Sequence, residues 1–86
     1  DVSYSGMLDK NTGYIRLNRF SKNSDIEVKN ALENLLKENM SGLILDLRDN
    51  PGGLLNAAVN ILDLFIPKGE MLVWTEGKTK KSIKFI

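Results

Sequence analysis

The sequence contains no cysteine and no histidine. Without cysteine, a disulfide framework, a thiolate metal site and a cysteine nucleophile are excluded within the chain. Without histidine, a Ser-His-Asp triad, a histidine general base and a histidine-ligated zinc are excluded as well. Hydrolytic chemistry from these residues must run on carboxylates, lysine, hydroxyls or backbone amides. An excess of one charge is also lacking. Twelve Lys and Arg against eleven Asp and Glu leave a formal net charge of +1. That balance gives no electrostatic footprint for nucleic acid or an anionic membrane. No apolar run approaches the roughly 20 residues of a membrane span, and no charged n-region precedes an apolar h-region. Absent cysteines suit reducing and oxidising compartments alike.

What is present describes an ordinary soluble globule. The 86 residues are 42% hydrophobic and 27% charged, which fits one small domain. The chain starts at Asp1 with no initiator Met, so the expectation is an excised piece of a longer protein. Domains this small bury only about 60% of their unfolded surface. In a piece, some of the apolar surface is then made to meet something else.

Residues 1–11 read as an irregular lead-in, closed by an Asn11-Thr12-Gly13 turn signal. Residues 13–20 alternate, with Ile15, Leu17 and Arg19 on one face and Tyr14, Arg16, Asn18 and Phe20 on the other, which predicts a strand. Ser24 followed by Glu27 fits a capping box. Val28, Ala31, Leu32, Leu35 and Leu36 then form one stripe of an amphipathic helix ending near Asn39 or Met40. Ser41-Gly42 breaks it. Residues 43–47, nearly all apolar, suit a strand buried on both faces of a parallel sheet. A second helix is predicted with Leu54, Ala58, Ile61, Leu62 and Phe65 on one face, stopped by Pro67. Residues 71–75 and 82–86 read as two further strands. The order β-α-β-α-β-β indicates an α/β layered domain.

The informative join lies between the buried strand and the second helix. Gly52 and Gly53 stand at a helix N-terminus, where unpaired amides carry partial positive charge. Adjacent glycines let a ligand approach those amides closely. The geometry offers anion binding: a phosphate, or the oxyanion of an acyl-transfer intermediate. The phosphate reading lacks its motifs, because Leu54-Leu55 follows the glycines where a Walker loop needs Lys and Ser or Thr. A plain tight turn is the competing reading. Asp46 interrupts the buried strand, and a buried carboxylate needs a partner. Arg48, Arg16 or Arg19 supplies a structural ion pair, and orientation of the glycine loop is the functional alternative. Tyr14, Phe20, Phe65 and Trp74 read as packing, and Lys78, Lys80, Lys81 and Lys84 as a solvated hairpin. No serine carries a nucleophile-elbow context.

Residues 13–17 with Phe20, the block Gly42-Leu43-Ile44-Leu45-Asp46-Leu47-Arg48-Asp49-Asn50-Pro51-Gly52-Gly53-Leu54-Leu55, and residues 57–59 and 63–69 resemble the carboxyl-terminal processing, or tail-specific, peptidases of family S41. The resemblance runs from about Gly13 to Gly69. The family usually has Asn where this chain has Asp49, and often Asp where it has Asn56. The resemblance implies a ClpP/crotonase-like core and a serine endopeptidase with a Ser-Lys dyad that acts on protein or peptide substrates. It implies that the backbone N–H of Gly52 or Gly53, one of the two, serves the oxyanion hole. It implies no metal and no cofactor. The nucleophilic serine and lysine of the family fall downstream of the last strand, and its PDZ domain falls upstream of Gly13. Residues 1–86 are then the front part of the core, inactive alone. Export to the cell envelope or secretion is the family's habit. A homo-oligomer through exposed core surface is expected. A non-catalytic peptide-binding module with a peptidase-like fold and a small phosphate-binding domain are the competing functions.

Overall fold

The alternation that begins at Gly13 builds the centre of the sheet. In the computed structural model, which describes residues 1–65 and 82–86, strand β2 (Thr12–Leu17) buries Gly13, Ile15 and Leu17 and turns Thr12, Tyr14 and Arg16 to the opposite face. Helix α1 (Ser24–Lys37) follows, and strand β3 (Gly42–Asp46) returns parallel to β2, with Ile15 opposite Leu45 and Arg16 opposite Asp46. Strand β4 (Ser82–Phe85) adds parallel to β3 on the far side. Helix α2 (Leu55–Asp63) lies in the chain between β3 and β4.

The lead-in departs from its expected irregular form. Val2–Met7 is strand β1, antiparallel to β2, with a register irregularity between Val2 and Tyr4. The sheet order is β1-β2-β3-β4. The polar run Ser3-Tyr4-Ser5 hides the strand because it lies on the sheet edge, with residues 3–5 exposed, and needs no apolar alternation there. Among the described residues the order is therefore β-β-α-β-α-β, still a mixed α/β layer. The strand expected at 71–75, the Pro67 stop and the basic turn at 78–81 lie outside the described residues.

One face of the sheet carries the core. Ile15, Leu17, Leu43 and Leu45 pack with Val28, Ala31, Leu32 and Leu35 of α1, with Met40, and with Ile61 and Phe65 from α2 and its end. The stripe on α1 falls where its period placed it. The stripe on α2 does so only in part. Ala57, Ile61 and Phe65 are buried, whereas Leu54 is 53% and Leu62 51% exposed. Apolar residues on more than one side of α2, with Leu55, Val59 and Leu62 on one and Ala57 and Ile61 on another, leave its phase undetermined by hydrophobicity alone.

The capping box at Ser24 is also corrected. The N-cap is Asn23, without a side-chain cap. Ser24 Oγ instead accepts from the Ser21 amide (2.8 Å) and donates to the Arg19 carbonyl (3.1 Å). Glu27 Oε1 accepts from the Val2 amide (2.8 Å). Ser24 thus ties α1 to the segment that leads into it, and Glu27 ties it to β1, rather than to its own first turn.

Candidate active site

Strand β3 ends on a buried acid. Asp46 has no exposed surface, and five donors reach it. Oδ1 accepts from the Arg48 amide (3.0 Å) and from Nε of Arg48 (3.1 Å). Oδ2 accepts from the Arg48 guanidinium (2.9 Å), the Tyr14 hydroxyl (2.5 Å) and, more distantly, the Arg16 guanidinium (3.4 Å). The Arg48 side chain, then the Tyr14 hydroxyl and the Arg48 amide, hold the carboxyl far below the usual carboxylate range, against the opposing pull of burial. The expected ion pair is present with Arg48 and Arg16; Arg19 takes no part in it. Arg16 also donates to the Arg48 carbonyl (2.9 Å). The ion pair therefore grips the backbone of Arg48, the residue that opens the glycine loop, and the structural and loop-orienting readings of Asp46 describe one arrangement.

The loop itself is held by short local bonds. The Asn50 amide closes a turn on the Leu47 carbonyl (3.0 Å). Asp49 adopts a φ of 65°, a left-handed conformation that Asp and Asn tolerate better than other side chains. Asn50 then bridges outward and inward: Nδ2 donates to the Leu17 carbonyl (3.0 Å), and Oδ1 accepts the amide of Gly52 (2.7 Å). The Gly52 N–H is thus already engaged within the loop.

Gly53 is placed differently. It pairs with Phe20 as an isolated parallel bridge. The Phe20 amide donates to the Gly52 carbonyl (2.9 Å), and the Leu54 amide donates to the Phe20 carbonyl (2.7 Å). In a parallel ladder the central residue of such a bracket turns its own N–H and C=O away from the partner strand. The Gly53 N–H accordingly points away from Phe20, and among the described residues it meets no acceptor. Glycine is required here for a steric reason too. A Cβ on Gly53 would stand 2.1 Å from the Phe20 carbonyl oxygen, at a φ of 142°. Gly52 has a φ of 102° with open space around it, so its demand is conformational alone.

A cleft of about 270 Å³ lies beside this amide, lined by Arg19, Phe20, Ser21, Lys22, Gly53 and Leu54, with Asp1 at its margin. Ser21 and Lys22 share it, but the Ser21 hydroxyl bonds to the Asp1 carboxylate and Ser24 Oγ, not to an amine. A serine activated by a lysine needs a direct hydrogen bond between the two, so this pair does not form a dyad. Among the described residues no cluster of acids offers a metal site, and no helix is long and apolar enough to cross a membrane.

Three participants escape the sequence reading. Tyr14 and Phe20 read as packing aromatics, yet Tyr14 bonds Asp46 through its hydroxyl and Phe20 brackets Gly53 through its backbone. Asn50 reads as part of a turn, yet its side chain decides which glycine amide is free. An Asn two residues before a Gly is the one signal available for this, because it is the spacing of an Asx turn.

Comparison with known proteins agrees with the block around the loop. The family model of peptidase family S41 matches residues 11–85. The chain is 43% identical over 78 residues to the carboxy-terminal processing protease CtpA of Bacillus subtilis, covering 91% of this chain and 17% of that protein. It is 46% identical over 63 residues to the carboxyl-terminal-processing protease of Synechocystis, covering 73% and 15% respectively. Among solved structures, a photosystem II D1 C-terminal processing protease superposes with a TM-score of 0.63 at 36% identity, over 71% of this chain and 16% of that one. The chain belongs to peptidase family S41. It spans less than a fifth of the length of these relatives.

Proposed function

We propose that the chain forms part of a serine endopeptidase that cleaves protein or peptide substrates, and that the Gly53 N–H is a donor of its oxyanion hole. The observation that carries this reading is the Gly53 amide, turned away from Phe20 and without an acceptor among the described residues. Gly52, the other glycine of the motif, is the poorer donor because its amide serves Asn50. Donors fixed in place before reaction stabilise developing negative charge without reorganising during it. Asp46, Arg48, Asn50 and the Phe20 backbone supply that fixation. The nucleophile and base come from a serine and a lysine elsewhere in the peptidase. Hydrolysis of an unstructured reporter peptide by the full-length peptidase, abolished by a serine-directed inhibitor and absent from the purified 86-residue chain, is the expected result. Inhibitor-sensitive turnover by the 86 residues alone contradicts the division of labour.

The apolar face of α2 supports a further reading about assembly. Leu55 is 75%, Val59 46% and Leu62 51% exposed, spaced at helical intervals on one side. In the isolated 86-residue chain this face pairs with a second copy. Sedimentation giving a monomer at millimolar concentration contradicts it.

A further inference from the structure

The cleft beside Gly53 has two properties that the oxyanion role does not use. Its volume of about 270 Å³ falls just under the roughly 300–1,000 Å³ of sites for drug-sized ligands, a size suited to a side chain. Its walls are of two kinds. Phe20, half-buried, and Leu54, 53% exposed, give an apolar surface. Arg19 and Lys22 are exposed cations, and neither side chain has an ion pair among the described residues; the three pairs present all use Asp46 or Asp49. The carboxylate of Asp1, at the margin, accepts from the Ser21 hydroxyl instead. Unpaired cations over an apolar wall are chemically matched to an apolar group with a carboxylate next to it.

We infer that this cleft is a substrate subsite that takes an apolar side chain and holds a neighbouring carboxylate on Arg19 and Lys22. The inference rests on Gly53 marking the attacked carbonyl. A residue flanking that carbonyl in an extended peptide is displaced by only about 3.3–3.6 Å per position, so its side chain enters the cleft while the carbonyl oxygen meets the amide. The carboxylate has two chemical sources, an acidic side chain or the free end of the substrate chain. Both present the same charge to Arg19 and Lys22. Exposed ion pairs are individually weak, so the subsite sets preference among peptides rather than deciding whether cleavage occurs.

The test uses the full-length peptidase and fluorescent peptides that place Leu and Glu at successive positions around the cleaved bond, each matched to a Gln version. One arm keeps Glu internal with an amidated end; the other has no Glu and compares a free with an amidated end. Anisotropy gives the binding ratio without any need for turnover, and kcat/KM gives the cleavage ratio. At low salt, at least one charged peptide in one arm binds about three- to tenfold more tightly than its neutral match, and the gap narrows at high salt. In the Arg19→Gln/Lys22→Gln double variant the ratio falls to within about twofold, and Arg19→Glu/Lys22→Glu shifts preference to Lys-containing peptides. The arm that responds identifies the source of the carboxylate. No charge preference in either arm, or a preference that survives the double variant, overturns the inference. Because binding is read directly, the outcome stands apart from whether Gly53 serves the oxyanion. Exposed-surface exchanges of this kind leave folding nearly unchanged, which thermal unfolding of each variant verifies.

Discussion

Gly53 runs alongside Phe20 as one rung of a parallel ladder, with the carbonyl and amide of Phe20 both taken by the residues on either side of the glycine. This pairing connects a residue just beyond β2 to the loop beyond β3, and it fixes the direction of the Gly53 amide, which meets no acceptor among the described residues. The two glycines therefore respond differently to the same change. In Gly53→Ala the added methyl meets the Phe20 carbonyl at 2.1 Å, and the bridge must open. In the full-length peptidase this variant loses at least about 10²-fold in kcat, the scale of a lost oxyanion donor, with a smaller effect on KM. Gly52→Ala has free space around it and costs about 1 kcal/mol of stability from its positive φ. Its kcat stays within about tenfold of the parent. Steady-state kinetics on both variants checks the contrast; equal losses in kcat contradict the assignment.

Asn50 carries a second prediction. Asn50→Ala removes its bonds to the Leu17 carbonyl and from the Gly52 amide, and loss of these bonds costs about 1–3 kcal/mol. Asn50→Asp keeps the acceptor for Gly52 but sets an acceptor-only carboxylate oxygen against the Leu17 carbonyl, where Asn50 donates. Urea unfolding of the full-length protein then places both variants below the parent. Hydrogen exchange at the Gly52 amide speeds up in the Ala variant and stays slow in the Asp variant. An Ala variant as protected at Gly52 as the parent contradicts the loop geometry.

How much of this was legible in the sequence depends on the kind of interaction. Ile15, Leu17 and the α1 stripe declare themselves because one face of each element is wet and the other is not. β1 does not, because an edge strand with exposed residues 3–5 needs no such contrast. The phase of α2 does not, because its apolar residues cover too much of its circumference. The glycine motif picks out the loop, and the buried position of Asp46 announces its arginines. Which of the Gly52 and Gly53 amides is engaged within the loop is out of reach, since it turns on the backbone of Phe20 and the side chain of Asn50. Both are geometric facts of a non-local pairing that no local pattern encodes.

Asp46 makes the acid limb of stability distinctive. Its folded carboxyl titrates far below the usual range, held down first by the Arg48 side chain and then by Tyr14. A depressed folded pKa means that the stabilisation is complete above the unfolded value near 4 and drains away as pH falls below it toward the folded value. Denaturant midpoints therefore fall as pH is lowered from 4 to 2. Asp46→Asn is less stable at pH 7 and shows a flatter decline over that acid window. A variant with the same acid slope as the parent contradicts the role given to this carboxylate.

The core offers a plainer check. Leu32 is 1% exposed and packs within the cluster that joins α1 to β2 and β3. Leu32→Ala destabilises by about 2–5 kcal/mol, read from urea unfolding. The exposed Leu55→Ala on α2 changes stability by no more than about 0.5 kcal/mol unless that face is covered by further protein.

The most direct measurement is a crystal structure of the full-length peptidase trapped as a tetrahedral adduct with a peptidyl aldehyde. The account places the adduct's oxyanion about 2.7–3.1 Å from the Gly53 nitrogen, with Gly52 still bonded to Asn50 and the Phe20 bracket intact. An oxyanion held by the Gly52 amide, or one turned away from the loop while Gly53 donates to an acceptor within the protein, contradicts it.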